Sequence, residues 1–112
     1  MVVQIELSDS DVDRIFHALA DATRRDILHR TLVGDASVSR LADAYDMSFA
    51  AVQKHVSVLE AAGLVTKEAR GRERLVRADP TTIARAQKLL DDYTTMWISR
   101  LDRLDAVLTE GD

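Results

Sequence analysis

The chain has 112 residues, no cysteine and a single proline. That length fits one domain with a modest core, and the missing cysteines exclude a disulfide scaffold or a thiolate metal site. No apolar run approaches the roughly 20 residues needed to cross a bilayer. Met1 to Leu7 alternates apolar and polar residues without the basic, apolar and cleavage segments of a signal peptide. The expectation is a cytoplasmic protein with no membrane partner. The formal net charge of −4 would oppose a polyanionic partner if it were evenly spread, but it is not. Glu6, Asp9, Asp11, Asp13 and Asp21 face Arg14 alone near the start, and the tail beyond Asp79 is again acidic. Between them Lys67, Arg70, Arg72, Arg74 and Arg77 crowd one short stretch against Glu68 and Glu73. Standing alone, such a run is equally well a solvated face.

The predicted elements follow in chain order. Ser10 is read as the cap of a first helix with Val12, Ile15, Phe16 and Leu19 on one face. Asp21 caps a second, carrying Ile27, Leu28 and Leu32 and ending near Gly34. Ser37 caps a short third helix whose stripe is Val38, Leu41, Ala42 and Tyr45. Ser48 caps a fourth, in which Val52, Val56 and Leu59 repeat at helical spacing until Gly63 provides a left-handed stop. Leu64 to Ala69 and Glu73 to Ala78 favour strands, separated by Arg70, Gly71 and Arg72, and read as a hairpin with a basic tip. Pro80 opens a last helix running from Thr81 to about Thr109, roughly 40 Å long and more than a core of this size can cover.

Two short helices, a tight turn and a basic hairpin in that order give a fold class that is mainly α with a small β-hairpin, a winged helix-turn-helix. Residues 8–78 form the helix-turn-helix and wing and 80–109 the long C-terminal helix, within a single domain spanning 1–112. With Val52, Val56 and Leu59 turned inward, Ala50, Gln53, Lys54 and Ser57 share the opposite face of the fourth helix, which suits the major groove of double-stranded DNA. Small Ala50 permits close approach, Gln53 can pair with the N6 and N7 edge of adenine, and Lys54 can reach guanine acceptors or a phosphate. Ser48, at the positive end of that helix, can help hold a phosphate. His55 stands beside this face, and either donation to a phosphate or a packed imidazole is open to it. Arg70, Arg72 and Arg74 are the wing's candidate DNA contacts. Phe49 can touch a thymine methyl or cover the turn, and covering the turn is the favoured role. For Arg24 and Arg25, ion pairs with Asp21 or Asp26 are favoured over phosphate contacts.

The last helix carries Ile83, Leu90, Tyr93, Trp97, Leu101, Leu104 and Leu108 at spacings of three and four, widened by Leu89, Met96 and Val107. Its far half lies beyond the elements that could cover it, so part of this stripe is expected to pack against a second copy.

These segments together resemble the ArsR/SmtB family of bacterial winged-helix repressors. The likeness runs through FHALADATRRDIL at Phe16 to Leu28, SVSRLADAYDMSFAAVQKHVSVLEAAGLV at Ser37 to Val65, and GRERLVR at Gly71 to Arg77. The tail DDYTTMWISRLDRLDAVL resembles a branch of the family without a metal site, in which the last helix dimerises beside the first. Phe16, Leu90, Tyr93, Trp97, Leu101, Leu104 and Leu108 are the dimerisation residues this implies. Where the family has a proline at helix entry, this chain has Ala22. The resemblance implies a homodimer that blocks polymerase from an inverted-repeat operator. Its two reading helices would lie about 34 Å apart in successive major grooves. Metal-sensing members use cysteines near the third helix or histidine and carboxylate sites on the last. Here His17, His29 and His55 lie on separate predicted helices and none follows residue 79, so neither metal nor cofactor is expected. A small-molecule effector is possible in a cleft near Tyr93 and Trp97, and an autoregulator without a ligand fits equally well. No nucleophile and base, glycine loop or paired carboxylates suggest an enzyme. The competing reading is a winged-helix protein-interaction module, which would more often show an exposed apolar patch where Gln53 and Lys54 sit.

Overall fold

The computed structural model describes residues 7–110, so the alternating segment before Leu7 lies outside the described residues. The order is α1 (Asp9–Leu19), α2 (Ala22–Val33), β1 (Ala36–Ser37), α3 (Val38–Asp43), α4 (Phe49–Ala61), β2 (Val65–Arg70), β3 (Glu73–Ala78) and α5 (Pro80–Glu110). The fold is mainly helical with one small antiparallel sheet and a long C-terminal helix.

Helix starts follow from side chains that satisfy the first unpaired N–H groups. Asp21, Ser37 and Ser48 cap α2, α3 and α4 by accepting from the backbone N–H of Arg24, Arg40 and Ala51. The first helix begins two residues earlier than its serine pattern suggested. Ser8, not Ser10, is the cap, and Asp11, three residues on, closes a reciprocal capping box with it. The Asp11 N–H donates to Ser8 Oγ at 3.1 Å, and the Ser8 N–H to Asp11 Oδ2 at 3.2 Å. Helix α4 ends as its glycine predicts. Gly63 takes φ +77°, its N–H donates to Glu60 O, and the Leu64 N–H reaches back to Leu59 O, both at 3.0 Å, the paired bonds of a Schellman stop. A Cβ there would also meet Thr82 Oγ1 of α5 at 3.3 Å.

The core collects Ile15 and Ala18 of α1, Ile27 and Leu28 of α2, Val38 and Leu41 of α3, and Val52, Val56 and Leu59 of α4. Ala62, Leu64, Val65, Val76 and Ala86 complete it. Each large side chain so buried contributes about 1.5–3 kcal/mol relative to exposure. On α2 the third inward residue is Thr31, whose hydroxyl donates to Leu28 O at 2.9 Å, while Leu32 faces out. Tyr45 lies past the end of α3, half-buried against the core.

The sheet order is β1-β3-β2. The two-residue β1 was not legible in the sequence. It exists only by pairing with β3, Ala36 opposite Val76 and Ser37 opposite Leu75. The hairpin is also tighter than expected: Arg70 is the last residue of β2, opposite Glu73, so only Gly71 and Arg72 make the turn. Gly71 has φ +60° and Arg72 does not share it, the φ pattern of a II′ turn with glycine first, whose twist matches the strands.

Helix α5 covers the core only at its start, through Thr82, Ile83 and Ala86. Its 31 residues extend about 46 Å. From Leu90 onward no described side chain is buried. The radius of gyration is accordingly 19.4 Å against about 13 Å for a compact chain of this size. No helix among the described residues is long and apolar enough to cross a membrane.

Candidate nucleic-acid interface

Helix α4 presents two kinds of surface. Val52, Val56 and Leu59 are fully buried, whereas Ser48, Ala50, Gln53, Lys54 and Ser57 are exposed on the outer side. Ser48 Oγ accepts from the Ala51 N–H at 3.1 Å, which leaves its O–H able to donate outward.

His55 is different. It is half-buried and turned toward the junction of α1 and α2, where Nδ1 accepts from Arg24 Nη1 at 3.3 Å and lies 3.9 Å from Asp21 Oδ2. Arg24 is the hub of this junction. Its Nε donates to Ala18 O at 2.8 Å and its Nη2 to His17 O at 2.9 Å, so one guanidinium satisfies the last carbonyls of α1 and touches α4. Arg25 donates to Leu19 O at 2.8 Å. The ion pairs with Asp21 or Asp26 favoured for these arginines are not formed among the described residues; their side chains bond helix-end carbonyls and, for Arg24, His55. The Arg24 backbone N–H, donated to Asp21, is the main reason that carboxyl sits below the ordinary range.

A second tie holds the turn before α4. The Tyr45 hydroxyl donates to the Asp26 carboxylate, which also accepts from Arg30 Nε at 2.8 Å, while the Arg30 guanidinium lies 5.6 Å from the centre of the Tyr45 ring. The Tyr45 hydroxyl and then Arg30 hold Asp26 below the ordinary carboxylate range. Burial first, and Asp26 second, push Tyr45 up to about 12. Its folded value is raised, so this contribution to stability is whole below about pH 10 and is lost as pH climbs toward 12. In a Tyr93→Phe background, absorbance titration should place Tyr45 near pH 12. Asp26→Asn should lower that midpoint without returning it to 10, since burial remains; an unmoved midpoint would assign the whole shift to burial.

The basic stretch divides in two. Lys67 Nζ lies 3.4 Å from Glu60 Oε1, and Arg77 reaches Asp35 at 3.0 Å and Glu68 at 3.7 Å. These two brace the sheet against α4 and against the loop before β1. Arg70, Arg72 and Arg74 are exposed and carry no ion pair among the described residues. Strand geometry and a two-residue turn gather all three at the hairpin's free end, so the tip is more basic than the wing as a whole.

Phe49, the first residue of α4, is 50% exposed and is not among the apolar side chains packed on the core. Half of its surface is thus open to solvent at the start of the helix. Phe16 on α1 is partly exposed, and Leu90, Tyr93, Trp97, Leu101, Leu104 and Leu108 form an open apolar stripe on α5. Among the described residues the surface beside Tyr93 and Trp97 is lined by α5 alone, without a facing wall.

Comparison with known proteins agrees with this geometry. A helix-turn-helix domain model matches residues 19–68. The HTH-type transcriptional regulator Rv2034 of Mycobacterium tuberculosis is 37% identical over 100 residues, covering 89% of this chain and 92% of that protein. The structure of an ArsR-like transcriptional regulator from Rhodococcus sp. RHA1 superposes with a TM-score of 0.79 at 32% identity, covering 88% of this chain and 92% of that one. A homodimeric winged helix-turn-helix DNA-binding domain from Mycobacterium bovis shares the fold, with a TM-score of 0.63 at 24% identity over 82% of this chain and 91% of that one.

A buried helix-turn-helix with a polar outer face, flanked by a β-hairpin with an arginine tip, defines a winged-helix DNA-binding regulator of transcription. The likeness to the mycobacterial and rhodococcal regulators extends over most of both chains, and the protein belongs to the ArsR family. The competing protein-interaction module accounts for neither the polar face of α4 nor these relatives.

Proposed function

We propose that the protein is a homodimeric repressor that binds an inverted-repeat operator and whose DNA affinity is not gated by a metal. Residues 8–78 would form its DNA-reading part and 80–109 its dimerising part, within one domain. The observation that carries this reading is the juxtaposition of an exposed Ala50, Gln53, Lys54 and Ser57 face with three wing-tip arginines that make no ion pair among the described residues. The side chains on α4 read base edges, and the wing arginines hold phosphates. His55 contributes by fixing α4 against Arg24 and Asp21, not by reaching DNA. The Mycobacterium bovis domain that shares this fold is homodimeric; that likeness and the open α5 stripe support dimerisation, and the cysteine-free sequence supports indifference to soft metals.

The test begins by selecting an operator from a random duplex pool. A bidentate glutamine to adenine contact discriminates by about 1–3 kcal/mol. Gln53→Ala should therefore cost roughly ten- to a hundredfold on the operator, while random-duplex affinity and the slope of log K against log salt stay nearly unchanged. Equal losses on both duplexes would remove Gln53 from base reading.

A further inference from the structure

We propose that Phe49 is a specificity-determining residue that selects a thymine in each operator half-site through the C5 methyl group, an inference that rests on the DNA face assigned above. Three observations converge on it. Phe49 is the exposed large apolar side chain of α4, every other large apolar residue of that helix being buried or half-buried. It is the first helical residue, immediately after the Ser48 cap, and the N-terminal residues of a recognition helix are those that contact base edges. It also stands four residues before Gln53, so the two side chains are neighbours along the edge where the outer face meets the buried stripe of Val52 and Val56.

The ring can neither donate nor accept a conventional hydrogen bond, and it gains nothing from a phosphate. In the major groove the apolar group a base edge offers is the thymine methyl. Residues i and i+4 are about 5–6 Å apart at Cβ, between one and two base steps of about 3.4 Å. Phe49 and Gln53 thus address neighbouring base pairs, one by apolar contact and the other by hydrogen bonding. The smaller Ala50 beside them lets the ring descend to the groove floor.

Uracil differs from thymine in the C5 methyl and keeps the same hydrogen-bonding groups, so it isolates this contact. The experiment measures binding of wild type, Phe49→Ala, Phe49→Leu and Gln53→Ala to the selected operator, with each thymine replaced in turn by uracil. In wild type, uracil at one symmetric thymine position should lower affinity about fivefold or more. Phe49→Ala should bind thymine and uracil operators equally, and Phe49→Leu should retain part of the preference. Because Phe49 is off the core, thermal melting should match wild type in both variants; were Phe49→Ala to melt early, the Phe49→Leu comparison alone decides. A wild type indifferent to every replacement, or a Phe49→Ala variant as sensitive to uracil as wild type, would overturn the proposal. Gln53→Ala separates this failure from a deeper one: if it too binds the operator like wild type, the α4 face itself has been misassigned.

Discussion

Leu101→Glu combined with Leu104→Glu should convert the protein from dimer to monomer at micromolar concentration, with a loss of about 10²- to 10⁴-fold in affinity for the full operator. Both leucines are half-exposed in the single chain, at 45% and 50%. They lie in a seam in which Leu90, Trp97, Leu101, Leu104 and Leu108 recur at spacings of seven, four, three and four, the pattern that buries one helix against another. Burying a leucine contributes about 1.5–3 kcal/mol, and two per chain are used twice in a twofold interface. Glutamate at those positions also places like charges opposite each other in an apolar seam. The same exposure predicts that the winged part keeps its fold, because neither leucine touches the core. The operator loss follows from linkage: a dimer binds its second half-site at high effective concentration, and a monomer forfeits that advantage. Light scattering reads the mass and duplex titration the affinity. A persisting dimer would move the interface toward other exposed apolar residues, such as Leu32 and Val33.

The parts of the fold that were legible in sequence are those set by neighbours in the chain. Asp21, Ser37 and Ser48 announced their helices because a capping side chain acts within three residues. The misplaced first cap was a local ambiguity between two serines, since Ser8 and Ser10 each have an aspartate three residues on, Asp11 and Asp13, and the local pattern does not choose between them. What escaped was set by distant partners. Strand β1 depends on Val76 and Leu75, some 40 residues on. The junction of Arg24 with His55 spans 31 positions. Nothing near Arg77 or Lys67 in sequence says which acids will take them up, since Asp35 and Glu60 arrive from other elements. The division of the basic stretch into two structural cations and three that are free among the described residues therefore became visible only in three dimensions.

That division carries the second large effect. Replacing Arg70, Arg72 and Arg74 together by glutamine should leave the fold and the dimer intact, because none of the three is buried or ion-paired among the described residues. It should nevertheless remove most of the salt-dependent part of DNA binding. The chain carries a formal net charge of −4, so it has no general attraction for a polyanion, and the wing tip is a local exception that the variant erases. Each phosphate contact adds about 0.9 to the slope of log K against log salt. If all three arginines reach phosphates in both protomers, the slope should fall by about 5 for the dimer. Affinity at low salt should then fall by several orders of magnitude on operator and random duplex alike. This outcome differs in kind from that of Gln53→Ala, which is expected to spare the slope and lose discrimination. The single variant Arg72→Ala tests the turn position itself and should flatten the slope by about 2. Should Arg72 enter the minor groove instead, its loss would depend on sequence and weigh most on operators with A·T-rich flanks, where the groove is narrow and its potential most negative. A triple variant whose salt slope matches wild type would show that the wing is not the phosphate anchor, and Lys54 and the N-terminus of α4 would then have to supply that attraction.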